Sequence, residues 1–563
     1  MNKLIQSLFL ALLPASLCVA QDCKPTFDDN SAKAFFAGSP NLKTQVDDYI
    51  KSARADYSNN DFETAAKKMY IAKFFDVLAK SENSASEELK FEILANTEFL
   101  KDFVMQLSPK DDLKKAFEIL SNIQKASPEK FSKYRNLAGA IAIVFDTPAP
   151  DNWPHAQVSK ELLPRTLPEP VEAFNKIVDS RERGKFLLHT EKLSIEELKY
   201  LVASVSTDED KQYAQKSISV NLANIAKLYS SVKYDTPRLN AKQFDWNGSD
   251  YRLKTIKSVG GICTDQSYFT TEVAKAKGVP AFIFTGAGSD GYHAWVAYMQ
   301  KSGSWNFSVG RYQNARFVTG KTIDPQTWET ATDHQLNAMS EGFRDGPKYA
   351  LSEIHSMFAK YFFENNEYKR AEDASKKSIV ADQRNSDAWE TLIASLENSN
   401  RPVPEIVKMY ESAIKAFGKY PDIDAQFRRK CMDLLLSNGN KDGVRKLTSS
   451  MIIKTKANRP DIAMEFARRE LQLEIKEGTN DKIISAYKRL LNPFKNDPAM
   501  AIEGITIPII NSVLNTDKFA SASDIIKTTR QLFKSAKDAT IKANLDNLEE
   551  QVTKIVSKKS NNN

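Results

Sequence analysis

From about position 41 to 144, apolar residues recur at three- and four-residue spacings with no sustained alternation, which predicts a run of amphipathic helices. Its clearest unit is Ala53, Phe62, Ala65, Met69 and Ala72 around the turn Asn59-Asn60-Asp61. Residues 148–170 then hold six of the chain's 22 prolines, a density that stops helices and reads as a boundary between domains. Helical patterning resumes afterwards, and Ser194-Ile195-Glu196-Glu197 reads as a capping box opening a helix that carries Leu198 and Leu201. Between about 235 and 328 the texture changes to glycine, aromatics and short apolar runs, and Ala281 to Thr285 and Ala294 to Tyr298 are expected as strands. Beyond Tyr349 the helical pattern continues to a polar tail, 558–563, expected to fray.

The first twenty residues change the picture of where this chain works. Met1-Asn2-Lys3 precedes an apolar stretch from Leu4 to Ala20 with small residues near its end, the pattern of a secretory signal cleaved after Ala20. A secreted or periplasmic protein is therefore expected, with no membrane span once the signal is gone, because no other run approaches the ~18 apolar residues a span needs. Removal of Cys18 would leave Cys23, Cys263 and Cys431, an odd number. At least one thiol then stays unpaired in an oxidising compartment; whether Cys23 pairs with Cys431 is left open.

Lys and Arg (79) exceed Asp and Glu (72) by only seven, and the two signs interleave along the chain. A nucleic-acid partner is not expected, since phosphate binding rests on a concentrated basic face. Five histidines and four cysteines, widely scattered, do not suggest a metal cage, and no cofactor is expected.

The stretch that carries chemistry begins at Gly260-Gly261-Ile262-Cys263 and runs through Gly278-Val279-Pro280 to Tyr292-His293-Ala294-Trp295. The glycine pair makes a turn from which a helix can start, and Gly278 can end it. Cys263 would sit at that helix N-terminus, where unpaired amides favour the thiolate, the attacking form of cysteine. A strand, a glycine-rich loop from Gly286 to Gly291 able to act as a lid, and a return strand from His293 would bring an imidazole back beside the thiol. A cysteine and a histidine so placed are the minimum machinery for acyl transfer through a thioester.

The order of these motifs resembles the transglutaminase-like family of papain-type cysteine enzymes: a cysteine after a glycine turn, a helix closed by Gly-Val-Pro, and His-Ala-Trp opening the next strand. The resemblance implies Cys263 as nucleophile and His293 as general acid and base. The family's third member is an Asp or Asn on the following strand. Here the candidates are Asn306, in Trp305-Asn306-Phe307-Ser308, and alternatively Asp324, in Asp324-Pro325, with Asn306 preferred. The Cys263 backbone amide would serve as oxyanion donor and the Trp246 indole as a weaker candidate for the second, while Tyr292 and Trp295 would wall the cleft. Asp265 and Gln266 are read as caps of the helix.

The helical units on either side have spacings similar to tetratricopeptide repeats: Ala359, Phe362, Tyr368 and Ala371, then Trp389 and Leu392, then Ile406, Tyr410 and Ala413. The fold class expected is thus multidomain, an α+β transglutaminase-like (papain-type) core flanked by all-α helical hairpins. The divisions are a signal (1–20), an N-terminal helical domain (21–147), a Pro-rich linker (148–170), the transglutaminase-like domain with its helical lead-in (171–347), a C-terminal repeat domain (348–557) and the tail. Two functions follow. One is a cysteine enzyme acting on amide bonds of peptide-like substrates, cell-wall peptide among them, by hydrolysis rather than crosslinking. The other is an inactive scaffold that binds a protein or peptide through its repeats.

Overall fold

The computed structural model describes residues 41–288, 291–311, 319–516, 518–534 and 539–560. The stretch expected as a signal (1–20), Cys23 and the last three residues lie outside them. The chain is mostly helical with one small five-stranded antiparallel sheet.

The N-terminal helices begin with Leu42–Ser58 and Phe62–Lys80, which turn at Asn60 in the left-handed region. Ala53 and Ala65 are fully buried between them, so small side chains set the close approach that the sequence spacing implied. The capping box forms: Ser194 accepts the Glu197 N–H at 3.2 Å and Glu197 accepts the Ser194 N–H at 2.9 Å, opening the helix Ile195–Val202. Such a cap is worth about 1 kcal/mol.

The sheet has the order β3-β2-β1-β4-β5, with β1 Ala281–Gly288, β2 Gly291–Lys301, β3 Ser304–Val309, β4 Lys321–Ile323 and β5 Thr330–Thr332. Alternation sorts its side chains cleanly. Ala281, Ile283, Ala294, Val296 and Tyr298 join the main core beside the helix Cys263–Ala276, while Phe282, Phe284, Trp295 and Ala297 form a separate cluster on the other face. The β1–β2 ladder reaches Gly288 and Gly291, so most of the loop expected as a lid is hydrogen-bonded strand.

One main core runs from Ala53 to Ala374, across the boundaries drawn from sequence. The Pro-rich segment is no free linker: Trp153, His155, Val158 and Leu163 are buried, and the Trp246 N–H donates to the Gln157 carbonyl at 2.8 Å. Prolines there exclude helix, and the apolar residues between them still pack. The helix Pro347–Glu364 joins this core from the far side, where Phe358 stacks on Tyr57 with ring centroids 4.1 Å apart.

Later helices form successive antiparallel hairpins around two further cores, one spanning Trp389 to Phe466 and the other Ile452 to Val552. Between Pro347–Glu364 and Tyr368–Ala381, Ser352 and Ser378 are fully buried and share a hydrogen bond of 2.8 Å, again a close helix contact made by small residues. The final helix, Ala539–Ser560, takes in the start of the segment expected to fray.

Candidate active site

The glycine turn is built as its chemistry requires. Gly260 has φ 93°, and a Cβ there would lie 2.4 Å from the Lys233 carbonyl oxygen, so only glycine fits. Gly261 continues the turn through a bridge to Tyr234. The helix Cys263–Ala276 follows at once, with every residue from Thr264 to Ala276 buried.

Its start is fixed by Asp265, which is fully buried. The Asp265 carboxylate accepts the Ile262 N–H at 2.8 Å, the Arg238 guanidinium at 2.7 Å and the Tyr251 hydroxyl at 2.8 Å. Arg238 is itself only 4% exposed, so this is a buried ion pair. Burial pushes the Asp265 pKa up, and Arg238, Tyr251 and the Ile262 amide pull against it. The Tyr251 hydroxyl lies 3.1 Å from His155 Nε2, which ties the Pro-rich segment to the foundation of the site. Burial holds the His155 pKa down at about 3, so that imidazole is neutral. Asp265 thus caps the helix as expected, whereas Gln266 instead donates to the Val232 carbonyl at 2.8 Å.

Cys263 is the first residue of the helix and half-buried. Burial raises its thiol pKa, and the amides of Ala294 and Thr264 together with the Thr264 side chain lower it by less. The activation expected from the helix terminus is therefore present and outweighed by desolvation. Its own backbone N–H belongs to the first turn, whose amides have no intrahelical acceptor, and it keeps the place proposed for an oxyanion donor.

His293 follows on β2, one residue before the Ala294 backbone that meets the thiol. Its ring is 4% exposed and stacks on Trp295 at 6.1 Å. Nε2 lies 2.7 Å from the Gly310 carbonyl oxygen. A carbonyl can only accept, so Nε2 carries the proton and Nδ1 is the acceptor nitrogen of the neutral ring. Burial, the larger influence, lowers the His293 pKa, and the Gly310 carbonyl raises it. The thiol's hydrogen-bond partners are Thr264 and Ala294 rather than the imidazole.

Neither candidate for the third position has a described contact with His293. Asn306 pairs with Tyr298 across the sheet, and its side-chain oxygen accepts the Ser308 N–H at 3.0 Å. Asp324 accepts the buried Lys199 ammonium at 3.1 Å and the amides of Gln326 and Thr327 at 2.8 and 3.2 Å. His293 Nε2 meets the backbone of Gly310, immediately after β3, brought there past register shifts in the β2–β3 pairing.

Three further expectations change. The Trp246 indole N–H donates to the Asp250 carbonyl at 2.9 Å and its ring packs on Tyr251 and under Arg238, so it is a buried support rather than an oxyanion donor. Trp295 is fully buried with its N–H on the Phe307 carbonyl, which makes it sheet core rather than cleft wall. Tyr292 is 90% exposed and stands in solvent. Cys431 is fully buried, and burial pushes its thiol pKa up to about 12.

Missed by the sequence reading was Tyr229, whose hydroxyl donates to the Ala294 carbonyl at 2.8 Å and whose ring lies against Gly310. It braces the two backbone positions that meet Cys263 and His293. Nothing local in the sequence marked it. Among the described residues no three His, Cys, Asp or Glu side chains gather as metal ligands, and no helix is long and apolar enough to cross a membrane. Comparison of the chain with protein-family models and with curated proteins finds no match to either.

Proposed function

We propose that the protein is a transglutaminase-like cysteine enzyme acting on amide bonds in peptide-like substrates outside the cytoplasm, with hydrolysis favoured over crosslinking. The observation that carries this reading is that Cys263 opens its helix with the thiol on the Ala294 backbone, next in the chain to His293, whose Nε2 is held by the Gly310 carbonyl at 2.7 Å. In the reaction Nδ1 takes the thiol proton and the sulfur attacks the carbonyl carbon. The imidazolium gives that proton to the departing amine, and the thioester is hydrolysed by water that the imidazole deprotonates. The Cys263 backbone N–H stabilises the oxyanion. Desolvation of the thiol means that the proton moves only once substrate is seated and the two side chains close on each other.

A second reading, an inactive scaffold that binds a peptide or protein through its helical hairpins, is favoured by the burial of Cys263 at the helix start, which raises its thiol pKa rather than lowering it. Alkylation of Cys263 by iodoacetamide separates them. The enzyme reading expects hydrolysis of peptide amides that is lost in Cys263→Ala and in His293→Ala, and thiol labelling in wild type that a substrate peptide slows by occupying the sulfur as a thioester. A thiol that labels only after denaturation, with no amide turnover, selects the scaffold.

A further inference from the structure

On the sheet face opposite the Cys263 helix lies a cavity of about 220 Å³ that the proposed reaction does not use. Four aromatic rings line it: Tyr200, Phe282, Trp305 and Phe307. They are packed as a set, with Tyr200 and Phe282 centroids 4.5 Å apart, Tyr200 edge-on to Trp305 at 5.7 Å, and Trp305 stacked on Phe307 at 6.1 Å. An aromatic core cluster ordinarily closes on itself. This one opens onto a rim that carries three carboxylates, Glu196, Glu197 and Glu341, and one cation, Arg344.

Two details show what the cavity lacks. Tyr200 is only 4% exposed, yet its hydroxyl has no hydrogen-bond partner. A buried hydroxyl left without a partner is destabilising, so a ligand donor that reaches it is favoured. Glu341 spends one carboxylate oxygen on the Tyr420 hydroxyl at 2.7 Å, which leaves the second for a ligand. Glu197, by contrast, is committed to Ser194 and Gly303 and contributes charge rather than an open acceptor, while the charge of Glu196 is answered by Lys199 at 2.8 Å, whose ammonium lies 5.9 Å from the Tyr200 ring centroid. Arg344 is turned toward Tyr349, with its guanidinium 4.9 Å from that ring's centroid.

We propose that this cavity binds a cationic side chain of a peptide, an ammonium of the lysine type. Aromatic faces attract a cation through their quadrupole, the rim keeps one carboxylate in excess once Lys199 has answered Glu196 and Arg344 is counted, and the unsatisfied groups, a hydroxyl oxygen and a carboxylate oxygen, can accept from an ammonium donor. A neutral sugar would use the rings and leave the charge excess unanswered. The site is independent of Cys263 chemistry: it lies across the sheet from the thiol and would anchor a lysine-bearing ligand whether or not the thiol is reactive.

The test is a tryptophan-fluorescence titration of the full chain with Nα-acetyl-lysine N-methylamide, against its Nε-acetylated analogue and N-acetylglucosamine. Saturable binding of the cationic probe is expected, weakened by salt. Trp305→Ala and Glu341→Gln should each weaken it about tenfold, while Arg344→Gln should tighten it. Glu341→Gln keeps an acceptor for Tyr420 and so reads the charge even where Trp305→Ala fails to fold. Cys263→Ala should bind as wild type does. Absence of saturation, equal binding of either neutral probe, or loss of binding in Cys263→Ala overturns the proposal.

Discussion

Replacing Asp265 by Asn should be among the most damaging conservative substitutions in the chain, because one buried carboxylate holds three donors at 2.7–2.8 Å. Asn keeps one oxygen acceptor and turns an NH2 toward groups that are themselves donors. It also leaves the Arg238 guanidinium, 4% exposed, without a counter-charge. Breaking one side of a buried ion pair costs about 3–5 kcal/mol, a large part of the ~5–15 kcal/mol that holds a protein folded. For a cooperative unit of ~200 residues that is a fall in Tm on the order of 10 °C. Trp246 provides the signal, since its ring packs on Tyr251 at 5.0 Å and under Arg238 at 5.5 Å.

Urea denaturation followed by tryptophan emission should show Asp265→Asn and Arg238→Met each strongly destabilised. The double variant Arg238→Met with Asp265→Asn should be less destabilised than the two single costs added together, because no uncompensated charge remains. An Asp265→Asn cost below ~1 kcal/mol, or strict additivity in the cycle, would refute the view that this ion pair anchors the Cys263 helix.

Other consequences can be checked directly. Burial pushes Asp146 up to about 7 and Asp111 up to about 6, against ~3.9 for an unfolded aspartate. Between those values these two carboxylates hold protons in the folded chain that the unfolded chain has lost, so their contribution to stability falls as pH rises from ~4 to ~7 and then levels off, against an opposite contribution from His155 and His355, held at about 3 and about 4 versus ~6.5 unfolded. Asp146→Asn should flatten that slope and raise Tm at pH 8, and an unchanged pH profile would count against it. Gly260→Ala, forced to φ 93° with its Cβ on the Lys233 carbonyl, should lower stability by at least ~1 kcal/mol and disturb Cys263 labelling. The fragment 171–347, expressed alone, should aggregate, because it lacks Trp153, His155 and the helices that complete the main core; a soluble fragment with native Cys263 labelling would contradict this.

The parts of the fold readable in advance were those whose signals are local. The turn at Gly260, the helix stop at Gly278, the Ser194 capping box and the alternating strands each depend on a few neighbouring residues, and each formed. The Cys263 helix shows no apolar stripe because it is buried on all sides, so only its flanking glycines announced it. Domain boundaries fared differently. Proline density in 148–170 correctly excludes helix and says nothing about burial; Trp153, Val158 and Leu163 were the available hint that this stretch packs.

The candidate site divides along the same line. Cys263 and His293 stood out as candidates because the roles proposed for them require particular side chains in a recognisable local order. Trp295 was misplaced as a cleft wall by its nearness to His293 in sequence, although alternation with Phe282 and Phe284 across the β1–β2 ladder puts it in the sheet core. The orienting contact to His293 posed a different problem. A search for it among Asn and Asp assumes a side chain, whereas the Gly310 carbonyl performs the contact with an atom that every residue possesses. What selects Gly310 is its φ of 83° and the Tyr229 ring that a Cβ would strike at 2.4 Å, both consequences of tertiary packing. An acceptor supplied by backbone leaves its trace only as a glycine that must remain a glycine, and the sequence alone does not distinguish that one from the other nineteen.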